Sequence, residues 1–175
     1  MAVTNSAGVE APRGELTLIR VFNAPRELVF KAWTDPKHLS QWWGPGMFTN
    51  PVCEVDPRPG GALYIIMRAP DGMEHTVSGV FKEIVSPERL VFTNNALDSE
   101  GNLLLEGLTK VYFEDQGGKT KLTLETSVVG LVEIAAQMIK GMEAGWSQSL
   151  DRLQEHVTLV SEGIALPVSE ETTSE

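Results

Sequence analysis

The spacing of apolar residues changes period along the chain, and the changes divide it into a strand, a helical pair, a run of strands and a final helix. Glu15 to Phe22 alternates Leu16, Leu18 and Arg20 with Thr17, Ile19 and Val21, a β-branched alternation that predicts a first strand. From Ala24 the period becomes helical. Pro25 suits the first position of a helix, and Leu28, Val29, Ala32 and Trp33 form one apolar stripe. Asp35-Pro36 stops that helix and opens a second short one, which runs into the bend Trp42-Trp43-Gly44-Pro45.

Turn chemistry then dictates a series of strands. Val52 to Val55 precedes the Pro/Gly-rich turn Asp56-Pro57-Arg58-Pro59-Gly60-Gly61. Ala62 to Arg68 and Glu74 to Val85 flank Asp71-Gly72, which predicts a hairpin. Arg89 to Thr93 follows the Ser86-Pro87 turn, and Leu105 to Glu114 and Lys119 to Ser127 form a second hairpin through Gly117-Gly118. Alternation turns Leu122, Leu124 and Thr126 to one face, and His75, Val77, Gly79 and Phe81 inward; in the stretch from Ala62 the buried set is Leu63, Ile65 and Met67. Beyond Gly130, residues Leu131, Ala135, Met138, Met142, Trp146, Leu150, Leu153 and Val157 recur at three- and four-residue steps, which predicts one long amphipathic helix that bends near Gly141 and Gly145. Glu143, Asp151, Arg152 and Glu155 are assigned to its solvent face.

The 175 residues suit one domain, expected over residues 15–160, between a flexible amino-terminal segment (1–14) and a disordered acidic tail (161–175). Composition narrows the partners. With 24 acidic and 14 basic residues the net charge is -10, which repels nucleic-acid backbones and anionic lipid surfaces. No apolar run is long enough to cross a bilayer, residues 1–14 lack the pattern of a secretory signal, and Cys53 is the only cysteine, so a cytoplasmic location is expected.

The order of elements is α+β: a curved antiparallel sheet with two short helices and one long carboxy-terminal helix. Several segments carry a resemblance. They are Ala24-Pro25 with Val29 to Pro36, Trp42-Trp43-Gly44-Pro45, Asp56 to Gly61, Gly79 with Glu83-Ile84, Glu88 to Thr93, and Gly141 with Gly145-Trp146. Together they make the chain resemble the START-like, birch-pollen-allergen-like (SRPBCC) superfamily, in the branch named for the activator of the heat-shock chaperone ATPase. The resemblance spans Glu15 to Val157. It implies a helix-grip fold with a cavity between sheet and long helix, used across the superfamily for hydrophobic or amphipathic small molecules, with a link to stress responses through the branch's name. The eukaryotic activator grips its chaperone through a separate amino-terminal domain, so a chaperone partner is not expected here.

Candidate chemistry is sparse. Trp42, Trp43, Met47, Phe48, Phe81, Phe92, Met138, Met142 and Trp146 have the aromatic and thioether character of a pocket, although residues at core spacing more often fill a core; the resemblance shifts the reading toward a cavity. His75, aimed inward near Tyr64, is the candidate polar anchor, while His38 and His156 are expected at the surface. No metal set, cofactor motif or nucleophile elbow is present, and Glu54, Asp56 and Glu83 suit a solvated strand face. The expected function is binding or sequestration of a hydrophobic or aromatic small molecule. Two alternatives stay open: a cyclase, hydrolase or dehydratase acting on such a molecule, and an interaction protein that modulates a chaperone or assembles through an exposed Trp42-Trp43 patch; a homodimer is compatible with pairing at the sheet edge or with an exposed apolar bend.

Overall fold

Strict two-residue alternation becomes sheet throughout the chain. In the computed structural model, which describes residues 11–163, the strands are β1 (Arg13–Phe22), β2 (Thr49–Val55), β3 (Ala62–Arg68), β4 (Glu74–Val85), β5 (Arg89–Thr93), β6 (Asn95–Leu97), β7 (Leu103–Gln116) and β8 (Lys119–Gly130). They pair antiparallel in the order β1-β8-β7-β5-β4-β3-β2, with β6 lying between β4 and β7. Four helices accompany them: α1 (Arg26–Thr34) and α2 (Pro36–Trp42) after the first strand, then α3 (Ala135–Lys140) and α4 (Met142–Ser161).

The expected α+β helix-grip architecture is the observed one, with four adjustments. Arg13 and Gly14, expected in a flexible segment, begin β1 and pair with Val129 and Val128; residues 1–10 and 164–175 lie outside the described region. Strand β6 was not anticipated. Its Asn-rich sequence has no strand pattern of its own, and it is held by neighbours on both sides. The final helix is divided at Gly141, so that α3 is a separate short helix and only α4 is long. Leu131 falls before α3 in a turn and is exposed.

Local chemistry explains the helical corner. Asp35 ends α1 and caps α2, its Oδ1 accepting from the Lys37 N–H at 2.9 Å. Pro36 has no N–H to give to the Ala32 carbonyl four residues earlier, and the Trp42 indole N–H takes that place at 2.9 Å. Trp42 is fully buried by this arrangement.

The core lies between sheet and helices. Phe22, Ile65, Phe81, Leu90, Phe92, Phe113, Leu122 and Leu124 from the sheet meet Val29, Trp33 and Leu39 from α1 and α2, and Leu150, Leu153 and Val157 from α4. Along the final helices burial grades from one end to the other. Leu150, Leu153 and Val157 have no exposure, whereas Met138, Met142 and Trp146 are only half-buried. The grip is closed at the carboxy-terminal end of α4 and loosens toward α3. Gly79 permits one close approach within the sheet, since a Cβ there would collide with the Thr93 carbonyl.

Candidate ligand site

Where the grip loosens, a cavity of ≈ 220 Å³ opens between sheet and helices. Its sheet wall consists of Met67, Val77, Ala96, Leu105 and Val128, with Asn94 from the β5–β6 junction. Its helical wall consists of Met138, Ile139, Met142, Gly145, Trp146 and Ser149, and the bend Trp43-Gly44-Pro45 closes one end. None of these side chains is ionisable. Two other depressions, around Lys110 and Glu125 and around Arg26, Glu88 and Arg89, contain charged groups and share no residue with this cavity.

Two of the wall residues belong to a lattice of rings. Trp146 meets Trp43 edge-on at 5.4 Å and stacks on Trp33 at 6.2 Å; Trp33 in turn packs edge-on against Trp42 at 4.7 Å, and Trp43 lies 6.4 Å from Phe92. The wall is therefore stiff on its aromatic side and adaptable on its methionine side.

Arg152 fixes the bend. Its Nη1 donates to the carbonyls of Trp43, Gly44 and Pro45 at 3.1, 3.0 and 2.9 Å, and its Nη2 donates to that of Gln41 at 3.3 Å. The Gly46 N–H donates to Gln148 Oε1 at 3.0 Å, and Asn50 Nδ2 donates to the carbonyls of Ser40 and Trp43. Gly44 takes φ +95°, which favours glycine, and a Cβ there would press on Met67 Sδ at 3.0 Å. Arg152, expected on the solvent face of the helix, is half-buried instead: its fork replaces the hydrogen-bond partners that the irregular bend lacks, and burial lowers its pKa.

The structure distributes the sequence-derived candidates over three settings. Trp43, Met138, Met142 and Trp146 line the cavity. Trp42, Phe81 and Phe92 are buried in the core beneath it. Phe48 packs beside Gly44 and against His75, with ring centroids 5.9 Å apart. His75 is on the same sheet face as Val77, opposite Met67, but it stands at the exposed start of β4 and does not line the cavity. Tyr64 is half-buried opposite Glu54, and Met47 is 81% exposed at φ +72°. Asn94, Ser149, Val128 and Ile139 are wall residues not singled out in advance. Ser149 does share the Met142, Trp146 and Leu153 stripe, a signal that periodicity contains, whereas Asn94 has none.

One expectation and the premise of one alternative are reversed. The Trp42-Trp43 pair is not an exposed patch, since Trp42 has no exposure and Trp43 has 6%. His38 and His156 are not at the surface either. Both are buried, and His38 Nδ1 and His156 Nε2 share a hydrogen bond of 2.9 Å where α2 packs on α4. Burial pushes the pKa of His156 down to about 4, aided by the facing His38. Burial also lowers that of His38, opposed by Asp35 and helped by Lys31. Cys53 is half-buried, and burial drives its thiol up to about 12, with Asp35 and Glu54 adding to the effect, so it is held in the unreactive form. Asp56 and Glu83 are engaged with Arg58 and Arg89 at 2.9 and 2.8 Å and do not converge with Glu54. Among the described residues no cluster of three metal-ligating side chains occurs, and no helix is long and apolar enough to cross a membrane.

Comparison with known proteins places this geometry. The profile of the family described as "Activator of Hsp90 ATPase homolog 1-like protein" matches residues 23–158. A protein of Chromobacterium violaceum has a similar solved structure, with 28% identity, a TM-score of 0.72, and 82% of this chain and 96% of that chain covered. The AHSA1 protein of Silicibacter pomeroyi is similar at 26% identity and a TM-score of 0.72, with 84% and 99% covered. A protein of Arthrobacter aurescens shares the fold at 22% identity and a TM-score of 0.69, with 91% and 93% covered. No curated protein matches the chain.

Proposed function

Since this chain belongs to the Activator of Hsp90 ATPase homolog 1-like family, we propose that it binds or sequesters a neutral, largely apolar small molecule in the cavity between sheet and α4. The observation that carries this reading is the wall itself, in which thioethers, indoles and aliphatic groups face the space and no side chain is ionisable. Such a wall favours burial of apolar surface, about 25 cal/mol per Å², and penalises a charge left without a partner.

The volume suggests a size. A dry cavity of about 150 Å³ takes one benzene ring, so ≈ 220 Å³ suits a substituted ring or a fused pair. An enzyme acting on such a molecule needs an acid or base within hydrogen-bond reach of the reacting atom. His75, the candidate for that role, stands outside the wall beside Phe48. Binding is therefore favoured over turnover. The family's name refers to activation of a chaperone ATPase, but the burial of Trp42 and Trp43 removes the surface on which a protein-partner reading rested.

The test is native mass spectrometry of the protein purified from its own cells, with thermal unfolding in the presence of tetralin as a defined bicyclic probe. A retained apolar mass, or a saturable rise in Tm, is expected, because a ligand selective for the folded state stabilises it by mass action. Gly145→Leu places a side chain in the cavity, where the nearest atom to a Cβ is Pro45 Cγ at 4.0 Å, and is expected to abolish the rise while the protein stays folded. Absence of both a retained mass and a shift in the unaltered protein refutes the reading.

A further inference from the structure

The cavity has two polar side chains, one in each wall. Asn94 enters from the sheet side and Ser149 from α4. Ser149 is only 5% exposed, yet its hydroxyl makes no hydrogen bond to any described residue. Its oxygen is nevertheless not sealed off, so in the wall of the cavity it is left free for water or a ligand.

Asn94 is oriented by a buried relay. Thr109 Oγ1 donates to Asn94 Oδ1 at 2.8 Å, and it lies 2.8 Å from Thr126 Oγ1. A threonine hydroxyl has a single proton, and that of Thr109 is committed to Asn94, so Thr126 is the donor in the second bond. Thr109 has no exposure and Thr126 has 3%, which fixes both hydroxyls. The consequence reaches the cavity. The carbonyl of Asn94 is occupied from behind, while its NH₂ has no partner among the described residues. The indole N–H groups of Trp43 and Trp146, also in the wall, are likewise without an acceptor among those residues. Donors therefore predominate in what the wall leaves unused, with the Ser149 oxygen able to accept as well.

We propose that the unused donors of Asn94 and Ser149 recognise an acceptor oxygen on the ligand, which makes the preferred ligand a neutral cyclic ketone or similar carbonyl-bearing ring compound and not a plain hydrocarbon. This deepens the binding reading above and rests on it. A carboxylate is disfavoured, because the wall supplies no cation to accompany it. A carbonyl fits both parts of the site: its ring meets the methionines and tryptophans, and its oxygen satisfies donors that the protein leaves open.

The experiment compares 1-tetralone with tetralin, which differ by one carbonyl oxygen and little in shape, using quenching of tryptophan fluorescence to obtain each Kd. The unaltered protein is expected to bind tetralone about three- to tenfold more tightly, the range of one net neutral hydrogen bond. Ser149→Ala, which removes a hydroxyl without a partner and so leaves the fold intact, is expected to reduce that preference. Asn94→Leu is expected to reduce it further, read as the ratio of the two Kd values, in which a change of cavity shape common to both probes cancels; Thr109 can then donate to Thr126. Equal Kd values for the two probes in the unaltered protein, or a preference that survives in both variants, overturn this inference and leave the binding reading standing. Failure to bind either probe, together with no apolar mass retained by the native protein, overturns both.

Discussion

Lowering the pH from 8 to 5 is expected to remove about 2 kcal/mol of stability through one side chain, His156. Its folded-state pKa is about 4, against an ordinary 6.5 in the unfolded chain. Between those values the unfolded chain binds a proton that the folded one refuses, so stability falls as pH falls below 6.5 and the loss levels off below about 4. The full shift corresponds to roughly 3 kcal/mol at 1.36 kcal/mol per pKa unit, of which about two-thirds is lost by pH 5. The cause is geometric: a 7% exposed imidazole already committed to His38 at 2.9 Å is largely withdrawn from the solvent that would stabilise its charge. The assay is urea unfolding at pH 8, 7, 6 and 5, followed by tryptophan fluorescence. His156→Gln retains an amide able to bond His38 but cannot titrate. It is expected to be about 1 kcal/mol less stable than the unaltered protein at pH 8 and equal or more stable at pH 5. Carboxylates contribute to both proteins and largely cancel in the comparison, while His38, which touches His156, faces an uncharged amide in the variant. Parallel stability curves between pH 8 and pH 5 would refute the reasoning.

Two further predictions concern the bend and the corner. Arg152→Met removes the donor of the Gln41 and Gly44 carbonyls and one of two donors at those of Trp43 and Pro45, and is expected to cost roughly 2–4 kcal/mol in urea unfolding and to weaken tetralin binding; Arg152→Lys restores little of either, because an ammonium cannot span the same fan of acceptors. Trp42→Phe is expected to cost about 1–2 kcal/mol more than Trp33→Phe, although both indoles are buried, because Trp42 supplies the donor that Pro36 withholds from Ala32 whereas the Trp33 N–H is unpartnered. Equal costs in thermal unfolding would show that the indole bond contributes nothing.

Elements that announce themselves through period and turn chemistry were legible in the sequence. Asp35-Pro36 marked the junction of α1 and α2, Asp71-Gly72 the hairpin of β3 and β4, and the stripe through Leu150, Leu153 and Val157 the buried face of α4. What required a second element was not legible. A single stripe of apolar residues describes a helix packed on one surface, but α4 packs on both the sheet and α2, so His156 is enclosed on a side that the stripe assigns to solvent. Arg152 was misplaced for the same reason: a charge on a helix is read as solvated unless the carbonyls that it meets are known. The division of the inward aromatics into core and wall follows from how far α4 stands from the sheet at each point. That distance places Phe92 in the core and Trp146 at the cavity, and no local pattern encodes it.

The pairing of β1 with β8 has a consequence for how the protein is made. Phe22 faces Thr120 in the sheet, and β1 is an edge strand with β8 as its strand neighbour, so it waits for partners about 100 residues downstream. At a synthesis rate of about 5–20 residues per second that wait lasts on the order of 5–20 s. Through this interval Leu16, Leu18 and Phe22 have no sheet to join, and the cavity has no roof until α4 has emerged from the ribosome. A ligand therefore cannot guide the early stages of assembly; it can only select chains that have already finished.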